Sequence, residues 1–134
     1  MKSRILQFVT VVTVAAVSAS FTLMQTKPWT VPDKAAKTAN AVKTSAASVS
    51  AGKALWTQHC PSCHGKTGLG DGSKAAQLKT VPPDLTKASF QSQSDGSIFY
   101  KVSEGREDMP SFKKKLPDAE DVWNLVNFMR TLKK

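Results

Sequence analysis

Val122, Leu125, Val126, Met129 and Leu132 recur at three- and four-residue spacing near the C-terminus, the pattern of a helix with one buried face. Trp123 and Phe128 lie beside that stripe. Pro117 and Asp118 open this helix. Glu120 and Asp121 fall in its first turn and Arg130, Lys133 and Lys134 at its end, a charge order that suits the helix dipole. A second helix is predicted from Ser94 or Asp95 through Ile98, Phe99 and Val102, with Gly105 ending it. A third is predicted over about 51–63, capped by Ser50. Four glycines between positions 65 and 72 demand a turn-rich loop. No stretch alternates apolar and polar residues as a strand would, so the expected fold class is all-α.

The N-terminal third reads differently. Lys2 and Arg4 precede an uncharged run over residues 5–24, the pattern of an export signal. Small residues from Val17 to Ser20 offer a cleavage site after Ala19 or Ser20. Twenty helical residues also reach about 30 Å, enough to span a bilayer. Lys27 and Trp29 follow, residue types that favour the membrane–water interface. Residues 1–24 are therefore a signal peptide or an N-terminal membrane anchor, and the length favours the anchor. The four lysines downstream of the run oppose it, because positive charge favours the cytoplasmic side. Residues 25–49 are rich in Ala, Lys, Thr, Ser and Val and hold no Leu, Ile, Phe or Met. Such a segment buries little apolar area and is expected to be a flexible linker. The folded domain is expected over residues 50–134.

The chain has 134 residues and a net charge of +9, but the excess is spread along its length with no aromatic-plus-basic stripe, so nucleic acid is not an expected partner. Two cysteines cannot build a disulfide-dense scaffold or a four-cysteine metal centre. Both fall in Cys60-Pro61-Ser62-Cys63-His64, the attachment pattern of c-type haem. Two thiols at this spacing in a turn can each form a thioether to the porphyrin, and the adjacent imidazole becomes the proximal iron ligand. A thioredoxin-like redox pair would need strand–helix alternation, which is absent. A zinc site from His59, Cys60, Cys63 and His64 would crowd four ligands into six residues. A haem iron used for electron transfer usually takes a second axial ligand, for which Met and His are the candidates. Met1 and Met24 lie in the export segment, His59 adjoins Cys60 on the wrong side, and Met129 falls on an apolar helix face as core filler. Met109 remains, in a loop stiffened by Pro110.

With these residues the chain resembles a class I, monohaem cytochrome c over residues 50–134. Gly52 and Trp56 match the small residue and the aromatic of that family's N-terminal helix. Leu125 and Phe128 match the leucine and aromatic of its C-terminal helix. The resemblance implies a small cytochrome c fold in which these four residues form the crossing of the terminal helices. It implies one covalently attached haem c on Cys60 and Cys63, with His64 and Met109 as iron ligands. It also implies that the carbonyl of Pro82 or Pro83 accepts the ring N–H of His64, a bond that would orient the imidazole.

The expected function is one-electron carriage between membrane or periplasmic redox partners, without a catalytic site of its own. The alternative is a haem subunit dedicated to one dehydrogenase, oxidase or photosynthetic reaction centre. A haem enzyme or gas sensor would leave the position assigned to Met109 open. Lys113, Lys114 and Lys115 follow that residue. They either steer an acidic docking face of a redox partner or form a solvated charge run.

Overall fold

Asp118 accepts a hydrogen bond from the Glu120 N–H at 2.9 Å, and Ser94 accepts one from the Ser97 N–H at 3.2 Å. These two side chains start the two helices whose apolar stripes are clearest in the sequence. A computed structural model describes residues 28–134. Among them the helices are α1 (Asp33–Ala36), α2 (Ala46–His59), α3 (Pro61–His64), α4 (Ala88–Gln91), α5 (Asp95–Glu104) and α6 (Ala119–Arg130), with a 3₁₀ turn at Ala75–Gln77. The described residues form no strand, only an isolated antiparallel bridge between Arg106 and Met109. The expected all-α fold is what the chain adopts. The segment read as a signal or anchor lies outside the described residues, and none of the described helices is long and apolar enough to cross a membrane.

The crossing of α2 and α6 organises the core. A Cβ on Gly52 would lie 2.0 Å from the Asn124 carbonyl oxygen and 2.9 Å from the Phe128 Cβ, so only glycine lets the two backbones meet here. Trp56 fills one side of the crossing with its ring 5.7 Å from that of Phe128, and Leu125 and Val126 are wholly enclosed. Ile98 and Val102 of α5 and Phe90 of α4, with Leu85, Phe112 and Leu116 from the connecting loops, complete the core. Arg130 at the end of α6 ties the approach to α5 in place. Its guanidinium donates to Asp95 at 2.6 and 2.9 Å, to the Gln91 carbonyl at 2.8 Å and to the Gln93 carbonyl at 2.6 Å.

Two boundaries differ from the expectation. The first long helix begins at Ala46, not 51, because Ser45 caps it. Ser45 Oγ accepts from the Ser48 N–H at 3.1 Å while Ser48 Oγ accepts from the Ser45 N–H at 2.9 Å. It ends at His59 instead of running through 63. Pro61 has no N–H to continue the ladder and instead occupies the first position of α3.

The larger difference concerns residues 28–45, expected as flexible linker. They lie along the domain as a strap. The side chain of Asn127 in α6, 1% exposed, is its central anchor. Asn127 Oδ1 accepts from Asn40 Nδ2 at 2.9 Å and Thr44 Oγ1 at 3.1 Å, and Asn127 Nδ2 donates to the Val42 carbonyl at 3.1 Å and to Ser48 Oγ at 3.2 Å. Ser94 Oγ donates to the Ala36 carbonyl at 2.6 Å. Helix α1 presses so closely on α5 that a Cβ on Gly96 would lie 2.2 Å from the Ala35 carbonyl oxygen. The strap is held by small polar side chains and backbone carbonyls with only Val42 reaching the core, which is why a search for large apolar residues misses it.

Candidate haem-attachment site

Cys60 is the hinge between α2 and α3. Its carbonyl accepts from the Cys63 N–H at 3.3 Å and the His64 N–H at 3.0 Å, and Gly65 N–H closes the turn on Pro61 at 3.0 Å. One helical turn therefore sets both cysteines and His64 in a single short element. Both thiols are free and half-buried. Burial, with a smaller contribution from Cys63, pushes the Cys60 thiol up to about 12. Burial also holds His64 below the ordinary histidine range, which favours the neutral imidazole, the form that ligates a metal. The His64 ring lies 5.8 Å from that of Trp56.

The glycine-rich loop folds back on this turn. Gly70 donates to the His64 carbonyl at 2.9 Å, Gly72 to the Cys63 carbonyl at 3.2 Å, and Lys74 to the Ser62 carbonyl at 2.8 Å. Gly70 has φ 80° and meets the proline loop, where a Cβ would lie 2.3 Å from the Pro82 carbonyl oxygen. Pro82 is buried there and Pro83 exposed. The bond expected from the His64 ring to one of these carbonyls is not made. His64 Nδ1 is buried without a hydrogen-bond partner, and the Pro82 carbonyl packs against Gly70 instead.

Met109 sits half-buried against the core in a turn of its own, closed by Arg106 N–H to the Met109 carbonyl at 2.8 Å and Met109 N–H to the Arg106 carbonyl at 2.9 Å. Met129 is buried in the α6 face as core, and His59 sets its ring edge-on to Phe112 at 6.0 Å. Of the lysine run, Lys113 pairs with Glu104 at 2.6 Å and Lys115 lies over the Phe112 ring at 5.5 Å. A cleft of about 290 Å³ between the strap, α5 and the start of α6 is lined by Lys113 but by none of the expected haem-site residues.

Two free thiols one turn apart, next to an imidazole that burial biases toward its neutral form, fit a covalently attached haem. The family model described as "Cytochrome C oxidase, cbb3-type, subunit III" matches residues 47–129. The chain belongs to this family of c-type cytochromes. Members of this family carry covalently bound haem c and transfer electrons through it, and here Cys60 and Cys63 are in place for the attachment. A solved structure described as "KustC0563 c-type cytochrome" is similar at 35% identity and a TM-score of 0.55, over 62% of this chain and 98% of that one. A chain of the "Kuenenia stuttgartiensis reducing HAO-like protein complex Kustc0457/Kustc0458" is similar at 25% identity and a TM-score of 0.63, over 69% of this chain. This cytochrome spans about half of that chain, 47% of its length. No curated protein matches the chain.

Several residues around the site had no signal in the sequence. Thr80 bonds to both Glu107 and Asp108 across a long gap in the chain. Glu107 has φ 52°, although nothing about a glutamate announces a left-handed turn. Trp29, read as an interface residue, lies beneath Arg106 at 4.8 Å and Lys101 at 5.6 Å.

Proposed function

We propose that this cytochrome is a one-electron carrier whose haem iron is held between His64 and Met109. The observation that carries the reading is the Cys60–His64 turn, with its two free thiols and a half-buried imidazole. When bound, the haem supplies a single-electron couple. His64 packs beside Trp56, and Met109 sits on a closed turn against the core; an apolar setting of this kind would favour little change between the two oxidation states. Met109→Ala tests the ligand assignment. It is expected to lower the midpoint potential and to admit carbon monoxide or cyanide, whereas parent-like ligand spectra would overturn it.

The partners are redox proteins with acidic docking faces, met by a chain of net charge +9. The domain works outside the cytoplasm, on the periplasmic side of the membrane, held by residues 5–24 as an anchor. The docked strap changes what such an anchor does. A free linker over residues 25–49 would extend up to about 85 Å, but with Trp29 packed on the domain only residues 25–28 remain, about 13 Å when extended. The domain then rides close to the bilayer and serves partners in the same membrane. A haem protein that stays with salt-washed membranes supports this. Recovery in the soluble periplasm with a new N-terminus near Ser20 would show a cleaved signal. The second reading, a haem subunit dedicated to one enzyme complex, draws on the similar chain that belongs to a reducing protein complex. Co-purification of the native protein at fixed stoichiometry with an oxidoreductase would favour it.

A further inference from the structure

The turn that carries Met109 is fastened at four places. At its base, Gly105 has φ 69° and no room for a side chain, since a Cβ would lie 2.5 Å from the Met109 carbonyl oxygen. Beyond it, Ser111 Oγ donates to the Ser103 carbonyl at 2.6 Å and Phe112 N–H to the Val102 carbonyl at 3.3 Å, both on α5. On one flank, the Trp29 ring lies beneath Arg106. At the tip, Thr80 reaches across from the loop before Pro82. Its N–H donates to Asp108 Oδ2 at 3.0 Å and its hydroxyl to Glu107 Oε2 at 2.7 Å.

The tip is also where the backbone is strained. Glu107 is the one non-glycine residue with positive φ among the described residues. Its Cβ makes that conformation unfavourable, and such strain persists where surrounding contacts fix it. The turn's own two bonds between Arg106 and Met109 close it, and the two bonds from Thr80 fix its tip from outside. The other end of the Thr80 loop leads to the proximal side: two residues on, the Pro82 carbonyl packs against Gly70, whose N–H is bonded to the His64 carbonyl. A continuous series of contacts thus runs from the His64 backbone through Gly70, Pro82 and Thr80 to Glu107, Asp108 and Met109.

We propose that Thr80 is a positioning residue for the Met109 ligand: by bonding Glu107 and Asp108 it latches the strained Met109 turn to the loop that packs on the His64 turn. The proposal rests on Met109 being the sixth ligand. Without the latch, the turn keeps its own closing bonds but is no longer tied to the Thr80 loop, and the methionine sulfur spends more of its time off the iron. The energetics favour a visible effect, because both acceptors are carboxylates, and bonds to charged groups are the stronger kind.

The test uses the full-length ferric holoprotein and cyanide as the probe, which enters only when the sixth ligand leaves. Thr80→Val keeps the shape and the backbone N–H but removes the hydroxyl donor. Because the lost bond is solvent-exposed, it should bind cyanide about two- to threefold faster than the parent, weaken the near-infrared band of sulfur–iron coordination, and leave the far-ultraviolet dichroism unchanged. Thr80→Ser, which restores the hydroxyl, should return both readings to the parent values. Asp108→Ala combined with Thr80→Val should speed cyanide binding further, and should that double variant yield no holoprotein, the single variant and its serine rescue decide the matter. Parent-like cyanide rates in Thr80→Val, or failure of serine to rescue, would overturn the latch while Met109→Ala, binding cyanide fast, still upheld the ligand. Slow cyanide binding in Met109→Ala itself would overturn both.

Discussion

Replacing Asn127 with Ala removes the anchor of the strap and leaves the haem-attachment turn untouched. Four hydrogen bonds are lost, two accepted from Asn40 and Thr44 and two donated to Val42 and Ser48. Each contributes about 1 kcal/mol net, and the partly buried strap groups recover some of that by bonding water. The expected loss is about 2–4 kcal/mol, a large share of the roughly 5–15 kcal/mol that holds a domain of this size folded. Thermal unfolding should then fall by about 10–20 °C. Two readouts separate release of the strap from general weakening. Trypsin should cut earlier after Lys34, Lys37 and Lys43, and the denaturant slope should drop, because less surface remains to be exposed at global unfolding. A double-mutant cycle with Asn40→Ala should show coupling of at least about 0.5 kcal/mol. A loss below about 0.5 kcal/mol together with parent-like trypsin cleavage would refute the view that residues 28–45 are an integral part of the domain.

Trp56→Ala should destabilise the domain by about 3–5 kcal/mol, and Gly52→Val should also weaken it, since even a Cβ would overlap the Asn124 carbonyl; normal denaturation curves for both would remove the argument about the α2–α6 crossing. Arg130→Lys keeps the charge but loses the planar fork that spans Asp95, Gln91 and Gln93, so it should cost about 1–3 kcal/mol in urea unfolding. The hydroxyl and N–H of Thr86, with help from nearby lysines, hold the Asp84 carboxyl below its ordinary value. A group depressed in this way stabilises the fold above its unfolded-state pKa, and the contribution is lost as pH falls through the lowered value. Asp84→Ala should therefore flatten the acid side of the stability profile and leave the slope near neutrality as it was.

How far the sequence revealed the structure varied with the kind of interaction. The apolar stripe from Val122 to Met129 and the caps Ser94 and Asp118 placed α5 and α6, because periodicity and capping chemistry are local. Gly52 and Trp56 were legible only through the family resemblance, and the packing confirms their crossing with α6. The start of α2 was misplaced because Ser45 and Ser48 form their reciprocal cap without the usual acidic or amide partner. The strap was hidden for a different reason: its stability comes from an asparagine buried far along the chain, and composition carries no record of a partner 87 residues away. The cysteines and His64 were found directly, since one turn determines them. The link between Thr80 and the Met109 turn spans 27 and 28 residues and exists only once two loops have met.

The central claim is that haem is bound covalently through Cys60 and Cys63. The most direct test is the intact mass of the purified native protein after acid–acetone extraction, alongside Cys60→Ala and Cys63→Ala variants. The account predicts that the red colour stays with the parent protein, that its mass exceeds the processed polypeptide by one haem, and that replacing both cysteines frees the haem into the solvent. A parent protein that loses its colour to acid acetone and returns the mass of bare polypeptide would contradict it.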